Sequence, residues 1–246
     1  MQNIANVLPA VMDNIEEKTA RAEVLSNVVR MDEAVIYDAA WIERQKENIR
    51  NGTAKRSNEL LQIPKRFLGK SLAAYEATDD FKNIAYSDFL HSNLFLWGPC
   101  GTGKTHLSCG LLLNFCADMS DFNPETKTWK RPRALFISVQ EFLFELKSAV
   151  GSNESDFARI KSLLELDALV MDDFGASRMT DYAVEMMSVL INEIYLRKLS
   201  RVIINSNLSL DDIGQKIDDR TASRIVEMCE VIKLAGHDRR ILVSNR

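Results

Sequence analysis

Apolar and polar positions along this 246-residue chain follow two different periods. The apolar runs at 94–97, 134–138, 168–172, 202–206 and 231–234 are short, nearly continuous and bounded by turn-forming residues, as strands buried on both faces are. Stretches at 104–117, 140–150, 156–166 and 181–198 instead repeat apolar residues every three or four positions, as helices do. Alternating strand and helix predicts an α/β fold with a five-stranded parallel sheet between helices. Upstream, Ile4, Val7, Leu8, Val11 and Ile15, then Val24, Leu25, Val28 and Val29, again fall at helical spacing, and Trp41 and Ile42 extend the pattern. This predicts a small helical region too short to bury much surface alone. The expected organisation is a helical region with a basic linker over 1–58 and the α/β domain over 59–246, the apolar stripe of the first packing on that domain, on a copy of itself or on another protein.

Charge refines that picture. The net charge of −4 argues against coating nucleic acid wholesale, yet residues 44–70 hold eight Lys or Arg against two Glu. Such a patch suits DNA or an acidic partner, and a solvated charged linker fits it equally. The connection 118–133 contains Pro124, Trp129, Lys130, Arg131 and Arg133. It reads either as a loop touching nucleic acid or as a surface loop whose Trp folds back. No stretch approaches the ~20 apolar residues of a membrane span, and the N-terminus lacks the regions of a secretory signal. Cysteines at 100, 109, 116 and 229 form no CxxC pair, so reduced thiols in the cytoplasm are expected rather than disulfides or a zinc finger.

Candidate chemistry begins where the first run ends. Gly98, Pro99, Cys100, Gly101, Thr102, Gly103, Lys104 and Thr105 spell Gly-x-x-x-x-Gly-Lys-Thr, with a strand before and a helix (Leu107, Leu111, Phe115) after. Glycines let backbone N–H groups converge on phosphate oxygens, and the helix N-terminus adds positive charge there. Lys104 would reach the β- and γ-phosphates of a nucleoside triphosphate, and the Thr105 hydroxyl would ligate Mg²⁺. At 168–173 four apolar residues end in Asp172 and Asp173, at the carboxyl end of a central strand, where ligands of open α/β sheets bind. Asp172 is placed to hold the Mg²⁺ shell beside Thr105. Asp173 is the candidate that polarises the attacking water, or an acidic cap on the next turn. The run at 203–207 ends in Asn205 and Asn207, amides able to orient water, though asparagine is also a common turn residue. Arg220, Arg224, Arg239 and Arg240 follow, and phosphoryl transfer is accelerated by a cation brought to the γ-phosphate in cis or in trans.

The ordered set Gly-Pro-Cys-Gly-Thr-Gly-Lys-Thr-His-Leu, Met-Asp-Asp-Phe-Gly-Ala, Ile-Asn-Ser-Asn-Leu-Ser, Ala-Ser-Arg-Ile-Val-Glu-Met-Cys and Ala-Gly-His-Asp-Arg-Arg resembles the AAA+ ATPases. Within them it is similar to the DnaC-type replicative helicase loaders of bacteria and phages, over residues 62–246. The resemblance implies that Ile63 and Phe67 line the adenine pocket and that His106 belongs to the nucleotide loop. It makes Asn207 the first sensor, with Asn205 as the other choice. It makes Arg224 a finger reaching a neighbour's ATP, and Arg240 a second sensor, with Arg239 standing where the family has Tyr. The family's Asp-Glu pair is Asp172-Asp173 here, and the shorter acid implies slow hydrolysis. The helices at 140–166 resemble the insertion that turns basic side chains toward DNA, which points to Lys147, Arg159 and Lys161.

The implied function is an ATPase with ATP and Mg²⁺ as cofactors, assembling into a ring or spiral around single-stranded DNA. Residues 1–58 would grip the replicative DNA helicase. The chain's end soon after Arg240 sets the expectation that no lid or further DNA-binding domain follows, unlike DnaA-type initiators. The alternative is a transposase helper ATPase of the IstB type, which shares the core motifs. A small-molecule kinase would need an acceptor pocket and lid arginines, and would leave Asn207 and a trans arginine unexplained. An ATP switch that binds without hydrolysing is a further reading.

Overall fold

A computed structural model describes residues 37–148, 156–176, 180–199 and 201–236. The helices read over 4–36, and Arg239 and Arg240, lie outside the described residues. In chain order the elements are α1 (Ala39–Arg50), α2 (Lys55–Leu61), a 3-10 turn (Lys65–Phe67), α3 (Asp79–His91), β1 (Asn93–Trp97), α4 (Lys104–Asp118), β2 (Asp121–Asn123) and β3 (Thr128–Lys130). Then follow β4 (Ala134–Ser138), α5 (Val139–Ser148), α6 (Asp156–Leu163), β5 (Ala168–Phe174), α7 (Asp181–Arg197), β6 (Val202–Ser206), α8 (Leu210–Lys216), α9 (Asp219–Met228) and β7 (Cys229–Lys233). Five strands form one parallel sheet in the order β4-β5-β6-β1-β7, so the phosphate-loop strand β1 sits between β6 and β7. The chain thus has the α/β P-loop NTPase fold of the AAA+ class.

Successive strand residues point to opposite faces, and the core divides accordingly. Leu94, Leu96, Val170 and Ile203 face one layer, which α1 to α4 cover with Ile49, Leu61, Phe89, Leu107 and Leu111. Phe95, Leu169, Met171 and Ile204 face the other, covered by Leu143, Ile160, Met187, Ile191 and Ile225. Helix α4 is apolar nearly all round, with Leu107, Cys109, Leu111, Leu112 and Leu113 fully buried, as a helix in the middle of a domain must be. Among the described residues no helix is long and apolar enough to cross a membrane. The cysteines are free; burial pushes the thiols of Cys116 and Cys229 up to about 12, leaving them protonated and inert, while Cys100 is exposed.

Several elements depart from the sequence expectation. The strand read at 168–172 runs on to Phe174, and β7 begins at Cys229 rather than 231. Helix α3 was not expected; Thr78 caps it by accepting from the Phe81 N–H at 3.3 Å. Helices α8 and α9 were also missed, although each starts with a sequence-visible cap. Ser209 and Asp212 form a capping box, and Asp218 accepts from the Thr221 N–H at 2.7 Å. The connection 118–133 is a hairpin, β2 against β3, whose Trp129 folds back on Phe122 with centroids 5.2 Å apart.

The largest departure is the basic linker. Residues 44–61 are mostly helical, and Ile49 and Leu61 are buried in the core with exposures of 3% and 5%. Arg50 does not extend into solvent. Its guanidinium donates to Glu43, Glu47 and, at 2.8 Å, to Asp118 at the end of α4. One apolar residue per turn suffices to seat such a segment, and counting charge hides it. Ile49→Ala should therefore cost about 2–5 kcal/mol in chemical unfolding. A loss under about 0.5 kcal/mol, the surface-substitution range, would return the segment to a linker.

Candidate nucleotide site

The loop between β1 and α4 is shaped by contacts that only glycine permits. Gly98 has φ +147°, and a Cβ there would stand 2.2 Å from the Leu234 carbonyl oxygen. Leu234 is fixed in that position because its N–H donates to the Trp97 carbonyl at 2.8 Å. Gly103, the N-cap of α4, has φ +97°, with Tyr75 3.0 Å from where its Cβ would be. Tyr75 meets the His106 ring edge-on at 5.2 Å, and His106 Nε2 lies 3.1 Å from the Ser71 carbonyl. The segment 71–75 is thereby strapped over the start of α4. Thr102 is buried and donates to the Pro99 carbonyl at 3.0 Å. Lys104 Nζ donates to the carbonyls of Gly98 and Pro99 at 2.7 and 2.9 Å, which holds its charge against the loop it belongs to.

The sequence-chosen residues converge on Asp172. The Thr105 hydroxyl donates to both Asp172 oxygens, at 3.0 and 3.1 Å. Asp172 is 8% exposed. Burial pushes its pKa above the usual carboxylate range and the charge of Asp173 adds to this, while hydrogen bonds from Asn205 and Thr105 pull the other way. A hydroxyl and a carboxylate with an unspent charge form the hard-oxygen set that Mg²⁺ takes alongside phosphates and water. The residues fit that ion: Thr105 and Asp172 would hold it, and it would neutralise charge on the phosphates. Among the described residues no group of three or more His, Cys, Asp or Glu forms a self-sufficient metal site.

Asp173 stands apart from this cluster. Its φ is +57°, uncommon for a non-glycine residue, and its side chain is exposed. The cause is a bulge: Met171 pairs with Ile204 but Phe174 with Ser206, so β5 carries one extra residue opposite Asn205. Bulges re-aim side chains beside functional sites, and this one turns two consecutive acids to different environments.

Of the network's residues, Asn205 was the other choice for the sensor amide, whereas Ser108 and Ser206 carry no signal in the sequence reading. Asn205, fully buried, donates from Nδ2 to Asp172 at 2.7 Å and to Ser108 at 2.8 Å. Ser108 donates in turn to the Lys104 and Thr105 carbonyls at 3.1 and 3.2 Å. Ser206 donates to the Phe174 carbonyl at 2.8 Å, accepts from the Leu208 N–H, and its own carbonyl accepts from the Gly98 N–H at 3.3 Å. It ties bulge, loop and following turn together. Asn207 lies just past β6 and is half-buried. Ile63 is in the core, and Phe67 packs partly buried against it with the Arg66 guanidinium 4.5 Å above its ring. Arg224 is not brought to the loop of its own chain. It sits one turn before α9 runs into the amino end of β7, over the Tyr195 ring at 5.5 Å, whereas the loop leaves the carboxyl end of β1. Arg224 borders a groove of about 470 Å³ with Ser188, Asn192, Asp218 and Thr221.

Comparison with known proteins agrees with this geometry. The profile of the IstB-like ATP binding protein family matches residues 66–245. The chain belongs to that family. A Sinorhizobium fredii protein described as a putative insertion sequence ATP-binding protein is 24% identical over 212 residues, covering 83% of this chain and 78% of its own length. A Bacillus thuringiensis putative ATP-binding protein of an insertion sequence is 24% identical over 165 residues, 66% of this chain and 60% of its own. Among solved structures, the DnaC helicase loader superposes with a TM-score of 0.56 at 26% identity, covering 70% of this chain and all of that one. DnaI superposes with a TM-score of 0.55 at 17% identity over 70% of this chain and 95% of its own, which shows the fold alone. As an IstB-like protein, the chain binds ATP.

Two outcomes test the site. Lys104→Ala should reduce ATP affinity at least 100-fold in a fluorescent-nucleotide titration, since the only cation on the loop is removed; unchanged affinity would remove the phosphate role. Asp172→Asn should raise Tm in the absence of nucleotide, because a carboxylate whose folded pKa is raised loses stability as pH rises through that pKa. The gain should be full at neutral pH and vanish as pH falls below the ordinary carboxylate pKa, and Mg²⁺-ATP should no longer stabilise the variant. A Tm below wild type at every pH would contradict the burial argument.

Proposed function

We propose that the chain is an ATP-controlled assembly factor that loads a replicative DNA helicase. The observation that carries this reading is the separation of Arg224 from its own Asp172 cluster. Arg224 stands near the end of α9, half-buried over the Tyr195 ring and beside an open groove, where a second copy would reach it. In a ring or spiral, Arg224 would approach the neighbour's γ-phosphate while Asn207 and Asp173 align water there. Asp173 reaches less far than a glutamate would, which supports slow hydrolysis, with Mg²⁺ as the required ion. Arg240 would complete the site as a second sensor, and Ile63 and Phe67 would flank the adenine. Similarity to the DnaC helicase loader at 26% identity supports helicase as the partner, gripped through residues 1–58.

Helices α5 and α6 support contact with single-stranded DNA. They expose Phe144 at 74% and Phe157 at 47%, next to Lys147, Lys161 and Arg159. Exposed aromatics among cations stack bases and neutralise phosphates together. A second reading, a transposase helper, is favoured by the two relatives described as insertion sequence ATP-binding proteins.

Full-length protein bearing ATP should retain the helicase in a pull-down, and deletion of 1–58 should abolish retention; capture of a transposase instead of the helicase would favour the second reading. Arg224→Ala should leave monomer ATP affinity within about 2-fold while lowering hydrolysis at least 10-fold. Mixing it with Asp173→Asn protein should restore activity at junctions that pair an intact Asp173 with an intact Arg224. No recovery in the mixture would sink the trans role.

A further inference from the structure

Two basic runs far apart in sequence meet on one face. Helix α2 exposes Lys55 and Arg56, and the exit of the hairpin carries Lys130, Arg131 and Arg133. Arg131 Nη1 donates to the Ser57 hydroxyl at 3.0 Å, which fastens the hairpin exit to α2 across 74 residues. Helix α2 also packs on the edge strand β4. Burial lowers the Arg131 pKa, and the nearby charge of Arg56 lowers it further, so the two guanidiniums stand close enough to repel. The carboxylates around them are already engaged. Glu59 is 4.0 Å from Lys55, Glu165 is 3.7 Å from Arg133, and Asp121 faces Lys130 across the hairpin. Among the described residues, neither Arg56 nor Arg131 has a salt-bridge partner.

The chemistry of this face is that of phosphate contact without base contact. Trp129 is packed against Phe122 and lies under the Arg131 guanidinium at 5.9 Å, so its ring is engaged by its own chain. What the face presents outward is guanidinium and ammonium. Unstacked bases need an aromatic platform, whereas a duplex, with its bases paired inside, presents phosphates at regular spacing. The face also lies on the α2 side of β4, opposite the side covered by α5 and α6.

We propose that Arg56 and Arg131, with Lys130 and Arg133 at the rim, bind the phosphate backbone of duplex DNA without reading its sequence. The surface is separate from the nucleotide site and from the exposed phenylalanines of α5 and α6, so it stands whether the partner is a helicase or a transposase.

The test is fluorescence anisotropy with a short labelled duplex of arbitrary sequence, full-length protein and stepped salt. Arg56 is exposed and, among the described residues, makes no side-chain hydrogen bond, so Arg56→Ala should fold. It should weaken duplex binding about 10-fold at 0.1 M salt and lower the slope of log affinity against log salt by about 0.9, one phosphate contact. Adding Arg131→Ala should lower the slope by about 0.9 again, while Arg131→Lys, which keeps the charge, should recover most of that loss. ATP affinity and single-strand affinity should stay within 2-fold, and an unchanged ATP affinity also certifies the fold of each variant. Unchanged duplex affinity and slope in Arg56→Ala would overturn the proposal. So would an equal loss for single strands, or loss of polyglutamate binding with duplex binding intact, which would assign the face to an acidic protein.

Discussion

The structure is organised around a carboxylate that is buried with hydrogen bonds alone to hold its charge. Asp172 ends the apolar strand β5 and receives Thr105 and Asn205, two neutral donors. Burying a charge without a counter-ion costs several kcal/mol even after relaxation, so this position is a liability for folding. The surroundings restrain it from two sides. Asn205 comes from β6, Thr105 from the first turn of α4, and Ser108 joins both through its hydroxyl. A cation on Asp172 would relieve the burial, so nucleotide and stability are linked through one side chain.

The same bulge that ends β5 separates the roles of the two acids. Asp172 is turned inward to the loop, and Asp173 is left exposed in a backbone conformation that side chains rarely adopt. Strain of that kind persists only where the surroundings over-determine it, here through the Ser206 hydroxyl on the Phe174 carbonyl. The sheet then divides the chemistry in space. Phosphate-binding groups gather at the carboxyl edge of the strands, and Arg224 stands toward the amino edge over Tyr195. On the proposed reading such a site is completed by assembly, with Arg224 supplied by a neighbouring copy.

Local signals were legible in the sequence and convergent ones were not. The loop 98–105 and the pair Asp172 and Asp173 announce themselves because their meaning is contained in eight and six consecutive residues. The Asn205–Ser108 contact spans 97 residues, and the two residues are unremarkable in isolation as a serine in a helix and an asparagine near a turn. Residues 44–61 were misread for a related reason. Their charge dominates the composition, but Ile49, Leu61 and the Arg50–Asp118 contact decide where they sit. Helix α3 was legible too, since Phe81, Ala85, Tyr86, Phe89 and Leu90 recur at helical spacing and pack toward the core behind the Thr78 cap. The caps Ser209 and Asp218 are the local signals that mark the starts of α8 and α9.

Completion of the ATP site by a second copy of the chain is the proposal on which the proposed function rests. Its most direct measurement is the ATP turnover per molecule of wild-type protein as protein concentration rises at saturating Mg²⁺-ATP. Completion in trans requires turnover to climb with concentration and level off as assembly, followed in parallel by sedimentation, becomes complete. Turnover that is constant from the most dilute sample upward, in a protein that sediments as a monomer with ATP bound, would contradict it.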